Sequence, residues 1–167
     1  YVITSKMDQK GKALTRLAMA VQFFVPGMPC IYYGDEYGMH GLMDPFNRGA
    51  FFENDKETYQ EVLRLTSLRN REKVLQTGYA LYMAPTKNVL AILRFISEKK
   101  DVFGEASENK AILLLVNPTM KKEEINLDLN KVKEGVNENA LQALLKNLSN
   151  AVIKTNVAPI DYKVIEL

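Results

Sequence analysis

The sequence has no tryptophan and only one cysteine and one histidine among its 167 residues. A single cysteine excludes an intrachain disulfide and leaves the redox compartment open. It sits in the apolar run Pro29-Cys30-Ile31-Tyr32-Tyr33, where a small buried hydrophobe is the expected role. His40 has no partners at metal-ligand spacing, so an ordinary loop histidine is expected rather than a catalytic base or a metal ligand. Zinc, P-loop and dinucleotide patterns are missing, as is an Asp-rich calcium loop, and no cofactor or metal is expected. No apolar stretch approaches the roughly 20 residues of a membrane span. Lys6, Asp8, Lys10 and Lys12 interrupt the start too often for a signal peptide. Charge of one sign is scarce as well. With 22 Lys and Arg against 20 Asp and Glu, a net +2 gives no field to gather nucleic acid or an anionic membrane, and neither is an expected partner.

What is present is ordinary for a globular protein: 47% apolar and 25% charged residues, in a length that can bury the core of one or two domains. The opening Tyr1-Val2-Ile3-Thr4 reads like the middle of a longer sequence. Over residues 12–24, Leu14, Leu17, Ala18, Val21 and Phe24 follow helical spacing, and Pro26-Gly27 stops the helix. Residues 30–33 are a short apolar run, β-branched and aromatic, which predicts a buried strand broken by Gly34-Asp35. Residues 38–54 have no sustained period and are rich in Gly, Pro, Asp, Asn and aromatics; loops of this length tend to be functional. A second helix is predicted over 56–73.

After Gly78 the pattern changes to strands, predicted at 79–83, 89–96, 111–117, 124–129, 152–155 and 162–167. Pro85-Thr86-Lys87-Asn88 and Asn117-Pro118 mark turns between them. One short helix with a stripe of Leu141, Leu144, Leu145 and Leu148 interrupts the run. The expected division is residues 1–77 as an α/β unit and 78–167 as an all-β antiparallel unit. One parallel strand with two helices cannot cover its own edges, so the strand is expected to belong to a larger sheet, or to pair with a second copy of the chain.

The segment Pro26-Gly27-Met28-Pro29-Cys30-Ile31-Tyr32-Tyr33-Gly34-Asp35-Glu36-Tyr37-Gly38 resembles the last barrel strand of the α-amylase family of glycoside hydrolases, with its glycines and prolines at the family's places. Asp44-Pro45-Phe46-Asn47-Arg48 resembles the substrate loop of the neopullulanase, cyclomaltodextrinase and maltogenic amylase branch. The resemblance implies an α/β remnant, the last β/α unit of a (β/α)8 barrel, followed by the antiparallel β-sandwich that closes such enzymes. Active sites of these barrels lie at the carboxy-terminal ends of the strands, which would place the 38–54 loop at the substrate groove.

Retaining glycosidases use two carboxylates about 5 Å apart. Asp35 and Glu36 are adjacent, and neighbours on a strand point to opposite faces. The resemblance, moreover, puts the family's three catalytic acids before Tyr1. No catalytic residue is therefore expected in this chain, and Gly34, Asp35 and Glu36 are expected to be structural at the barrel mouth. The resemblance implies that Asp44 and Arg48 bind glucose hydroxyls, a carboxylate accepting and a guanidinium donating in a fixed fork. A local Asp44–Arg48 ion pair fits the same spacing. Among Tyr32, Tyr33, Tyr37, Phe46, Phe51 and Phe52 most are expected in the core, with Tyr37 and Phe46 as candidate sugar platforms. The expected partner is an α-glucan oligosaccharide. The alternative is a non-catalytic carbohydrate-binding or purely structural β-module, against which stands the scarcity of aromatics after Gly78: Tyr79, Tyr82, Phe95, Phe103 and Tyr162.

Overall fold

The computed structural model describes residues 9–39, 41, 48–53, 55–132 and 138–167. Helix α1 (Gln9–Phe24) buries Leu17, Ala20 and Phe24 along one stripe, with Met19 and Phe23 beside it. Helix α2 (Lys56–Arg71) starts at Asp55, whose side chain accepts from the backbone N–H groups of Glu57 and Thr58, both at 3.1 Å. An N-cap carboxylate satisfies donors that the first turn leaves open, while Arg69 and Arg71 in the last turn suit the helix dipole.

The helix predicted over 56–73 is interrupted at Glu72, whose backbone is extended, and a short α3 (Lys73–Thr77) follows. The interruption has a tertiary cause. Glu72 is buried, and its carboxylate meets Lys110 Nζ at 2.6 Å and Arg71 Nε at 2.9 Å.

Strands β1 (Tyr79–Thr86), β2 (Val89–Ile96), β3 (Lys110–Asn117) and β6 (Asp161–Glu166) form one antiparallel sheet in the order β1-β2-β3-β6. Strands β4 (Glu123–Asp128) and β5 (Val152–Val157) form a second, two-stranded sheet, with α4 (Glu138–Leu145) between them in sequence. The register pairs Leu93 with Leu113 and Ile92 with Leu114, so both central strands present apolar rows, interrupted in β2 by Arg94.

Both faces of those strands are covered. Side chains alternate across a strand. On one face Ile92, Ile96, Ile112, Leu114 and Val116 pack with Leu17, Phe24, Leu65 and Leu75 of the three preceding helices. On the other, Ala91, Leu93, Phe95, Leu113 and Leu115 pack with Ile125, Leu127, Ile153 and Val157 of the small sheet and Leu141 and Leu144 of α4. This double burial explains why β2 and β3 lack the polar alternation of a half-exposed strand.

Residues 30–33 do not form the predicted strand. The chain there is irregular up to a turn at Tyr33-Gly34, followed by one 3-10 turn at Asp35–Tyr37. A strand needs a neighbour for its N–H and C=O groups, and no strand among the described residues lies beside this one. Cys30, expected to be buried, is exposed for the same reason.

Candidate functional site

The segment after α1 is fixed by two arginines that sequence periodicity alone did not single out. Arg69 of α2 is buried and donates to the carbonyls of Phe23, Val25 (3.3 Å) and Gly27, satisfying acceptors at the open end of α1. Arg94 of β2 has no exposed surface. It donates to Phe24 O at 2.7 Å, Leu75 O at 2.9 Å, Gly78 O at 2.9 Å and Tyr79 O at 3.2 Å. Burial pushes the Arg94 guanidinium down to about 10, with Arg69 nearby adding to the effect. Burial lowers Arg69 as well. The end of α1, and hence the departure of the motif segment, is thus held by cationic donors reaching from α2 and β2. The available signal was Arg94 itself, a lone charge inside Leu90-Ala91-Ile92-Leu93-Arg94-Phe95-Ile96.

Beyond Gly27 the side chain of Gln22 donates to Cys30 O, and the chain turns at Gly34. Gly34 has φ +89°, and a Cβ there would lie 2.5 Å from Met39 Sδ, so the turn needs glycine on both counts. The two adjacent acids fold back onto this turn. Asp35 Oδ2 accepts from Tyr32 N–H at 3.3 Å and Glu36 Oε2 from Gly34 N–H at 2.9 Å. Burial raises the Asp35 carboxyl and Glu36 adds to that, while the Tyr32 N–H opposes. Both residues lie in the 3-10 turn, not on a strand.

Tyr37 stacks on Tyr59 of α2, with centroids 4.6 Å apart and planes 7° from parallel, and meets Phe51 edge-on at 5.6 Å. The Tyr33 hydroxyl donates to Gly49 O at 3.1 Å. These contacts tie residues 49–51 to the turn, and Arg48, next to Gly49 in the chain, is exposed. Tyr32, Tyr33, Phe51 and Phe52 are also largely exposed, and the Tyr32 and Tyr33 rings lie 4.7 Å apart. Asp44 and Phe46 of the substrate-loop motif, and His40, lie outside the described residues.

Under this surface sits Asp55, bridged to Lys12 Nζ at 3.0 Å. Burial pushes its carboxyl up, but the Thr58 and Lys12 donors win and hold it below the ordinary range. Chemically, the described part of the site offers open ring faces, a guanidinium and backbone groups. Its two adjacent carboxylates are engaged with their own turn. Among the described residues no group of three or more His, Cys, Asp or Glu side chains could hold a metal ion, and no helix is long and apolar enough to cross a membrane.

No protein-family model matches the chain. Individual proteins do. It is 36% identical over 124 residues to an amylopullulanase of Thermoanaerobacterium thermosulfurigenes, an alignment covering 72% of this chain and 7% of that protein. It is 29% identical over 168 residues to a maltogenic α-amylase of Bacillus acidopullulyticus, covering 96% of this chain and 27% of that enzyme. The chain therefore matches only a small part of the length of these relatives. Among solved structures, an α-amylase of Geobacillus thermoleovorans complexed with acarbose superimposes with a TM-score of 0.69 at 20% identity, over 93% of this chain and 33% of that one. At that identity the likeness speaks for the fold.

Proposed function

This chain is a relative of the α-amylase-family glycoside hydrolases and matches a fragment of them, and from that premise we propose that it is part of a retaining α-glucan hydrolase. The substrates are α-1,4, and in some cases α-1,6, bonds of starch-derived oligosaccharides or cyclodextrins. Residues 1–77 are the closing β/α unit of a (β/α)8 barrel, and 78–167 are a β-sandwich that stabilises it. The chain's own role is non-catalytic. Asp44, Arg48, Tyr37 and Phe46 form part of the substrate groove, with Gly34, Asp35 and Glu36 shaping its mouth. The observation that carries this reading is the similarity to a maltogenic α-amylase, which extends over 96% of the chain yet accounts for 27% of that enzyme.

The geometry supports the division of labour. Two acids that each accept from a backbone N–H of their own turn are poor candidates for a nucleophile and acid pair. Exposed tyrosine and phenylalanine rings, with an exposed arginine in the same stretch of chain, suit the apolar faces and hydroxyls of a sugar. The stabilising role of 78–167 draws support from the helices, whose apolar stripes share a core with β2 and β3.

Two measurements test this. The chain alone should release no reducing ends from maltoheptaose or β-cyclodextrin, and hydrolysis by the purified chain would end the non-catalytic reading. In the longer enzyme that contains it, Asp44→Ala with Arg48→Ala should raise KM for maltooligosaccharides about tenfold or more, as expected for lost charged hydrogen bonds. Unchanged kinetics would remove both residues from the groove.

A further inference from the structure

A second concave surface lies between the first halves of α1 and α2 and the turn that leads into β6. It is a groove of about 720 Å³, within the range of roughly 300–1,000 Å³ typical of small-molecule clefts. Its walls are dense in hydrogen-bonding groups: Arg16 from α1, Glu57, Glu61 and Arg64 from α2, and Asp161 with Tyr162 from the start of β6. The turn is held in an unusual backbone conformation. Ile160, a β-branched residue, has φ +45°, which such residues rarely adopt, and its N–H is bonded to Thr119 O at 2.9 Å. Backbone strain of this kind persists only where the surroundings enforce it, and it collects at binding sites.

The charge arrangement selects the ligand class. Arg64 forms a two-pronged pair with Glu61, at 2.9 and 3.0 Å, and also donates to the Tyr162 hydroxyl, with its guanidinium 5.5 Å from the Tyr162 ring centre. Arg16 Nη1 lies 3.4 Å from Glu57 Oε1. Each cation thus has a carboxylate beside it, although the buried Arg16 Nη1 itself makes no hydrogen bond, and no salt bridge among the described residues reaches Asp161. A phosphate or carboxylate ligand would face Glu57, Glu61 and Asp161 as well as the two arginines, three negative charges against two positive. Metal chemistry is not supported either, since no described cluster has the ligand set for it. What remains is a surface of fixed acceptors and donors close to charge balance. A neutral polyol matches it, because each hydroxyl both donates and accepts. Asp161 Oδ1 already accepts from Tyr162 N–H at 2.8 Å, which leaves Oδ2 to accept from a ligand; burial and Glu61 raise this carboxyl, with Arg16 opposing.

The geometry points to a second carbohydrate site in this groove, separate from the Tyr37–Arg48 surface and binding a short stretch of neutral oligosaccharide through Arg16, Gln60, Glu61, Arg64 and Asp161. That the sugar is an α-glucan rests on the function proposed above.

Backbone-amide NMR titration of the chain tests it, with maltoheptaose and inorganic phosphate as separate probes. The expected result is saturable shifts at Arg16, Glu61 and Asp161 with maltoheptaose and none with phosphate. Gln60→Ala, at an exposed helix position, should weaken that binding about tenfold. Asp161→Ala is the second variant, and its binding should fall in the same way while the groove amides of α1 keep their native positions. Shifts confined to Arg48–Glu53 and Tyr37 would overturn the groove site and leave the proposed function standing. Shifts in the groove alone would uphold this site and count against the proposed one. Phosphate binding in the groove, or silence in both regions, would overturn it.

Discussion

Replacing Arg94 removes a side chain that joins the end of α1, α3 and the start of β1. Its donors reach Phe24 O, Leu75 O and Gly78 O in the protein interior and the half-buried Tyr79 O. Each buried carbonyl left without a donor costs about 1–3 kcal/mol. Against that stands the desolvation of the guanidinium, visible in its pKa of about 10, which the substitution relieves. Breaking a buried charged arrangement of this kind costs about 3–5 kcal/mol net. Arg94→Met keeps most of the volume and removes the donors, so it isolates the hydrogen-bond contribution from the cavity that Arg94→Ala adds. The expected loss for Arg94→Met is about 3 kcal/mol, equivalent to a fall in Tm of roughly 6–12 °C for a chain of this size. Arg94→Lys should fall between, since one ammonium cannot span four acceptors. Urea unfolding followed by circular dichroism measures all three. An Arg94→Met variant within about 0.5 kcal/mol of the parent, inside the ordinary range for surface changes, would refute the claim that these carbonyls depend on it.

Two other consequences are measurable. The Glu72 carboxyl is held low chiefly by the Lys110 hydrogen bond, with burial opposing and Arg71 assisting, so its stabilisation is fully present above the ordinary glutamate value of 4.5 and is lost as pH falls below it. Glu72→Gln should cost roughly 1–3 kcal/mol at pH 7 and flatten the acid side of the stability–pH curve; an unchanged slope would mean that other carboxylates set it. The apolar residues Met28, Ile31, Tyr32 and Tyr33, with Met28 93% exposed, should drive self-association of the isolated chain. Sedimentation velocity should show a concentration-dependent dimer that Tyr32→Ser with Ile31→Ser weakens, and a monomer at every concentration would count against it.

Much of the secondary structure could be read directly from spacing. The helical period over 12–24 lies within α1, that over 56–73 covers α2 and runs two residues past it, and the apolar runs after Gly78 mark each of the six strands. What spacing could not supply was anything set across the fold. The break at Glu72 depends on Lys110, distant in sequence, and helical propensity runs straight through it. The run at 30–33 has strand composition, but composition cannot supply a neighbouring strand, and the segment stays irregular. At the site, the glycine at Gly34 was legible as a turn, whereas the stacking of Tyr37 on Tyr59 joins a loop to a helix whose facing could not be deduced beforehand. Arg69 and Arg94 escaped because arginine in a helix or strand usually reads as a surface residue.

The central strands have a consequence for how such a polypeptide can be inherited. With Ile92, Ile112 and Leu114 committed to the helices and Leu93, Leu113 and Leu115 to the smaller sheet, the all-β half does not travel well alone. A recombination joint placed at Gln76–Gly78 would transplant a sheet whose one side expects foreign helices to lie on it. A recipient that lacked matching stripes would inherit a greasy, exposed wall. Transfer of this half should therefore carry α1, α2 and α3 along with it.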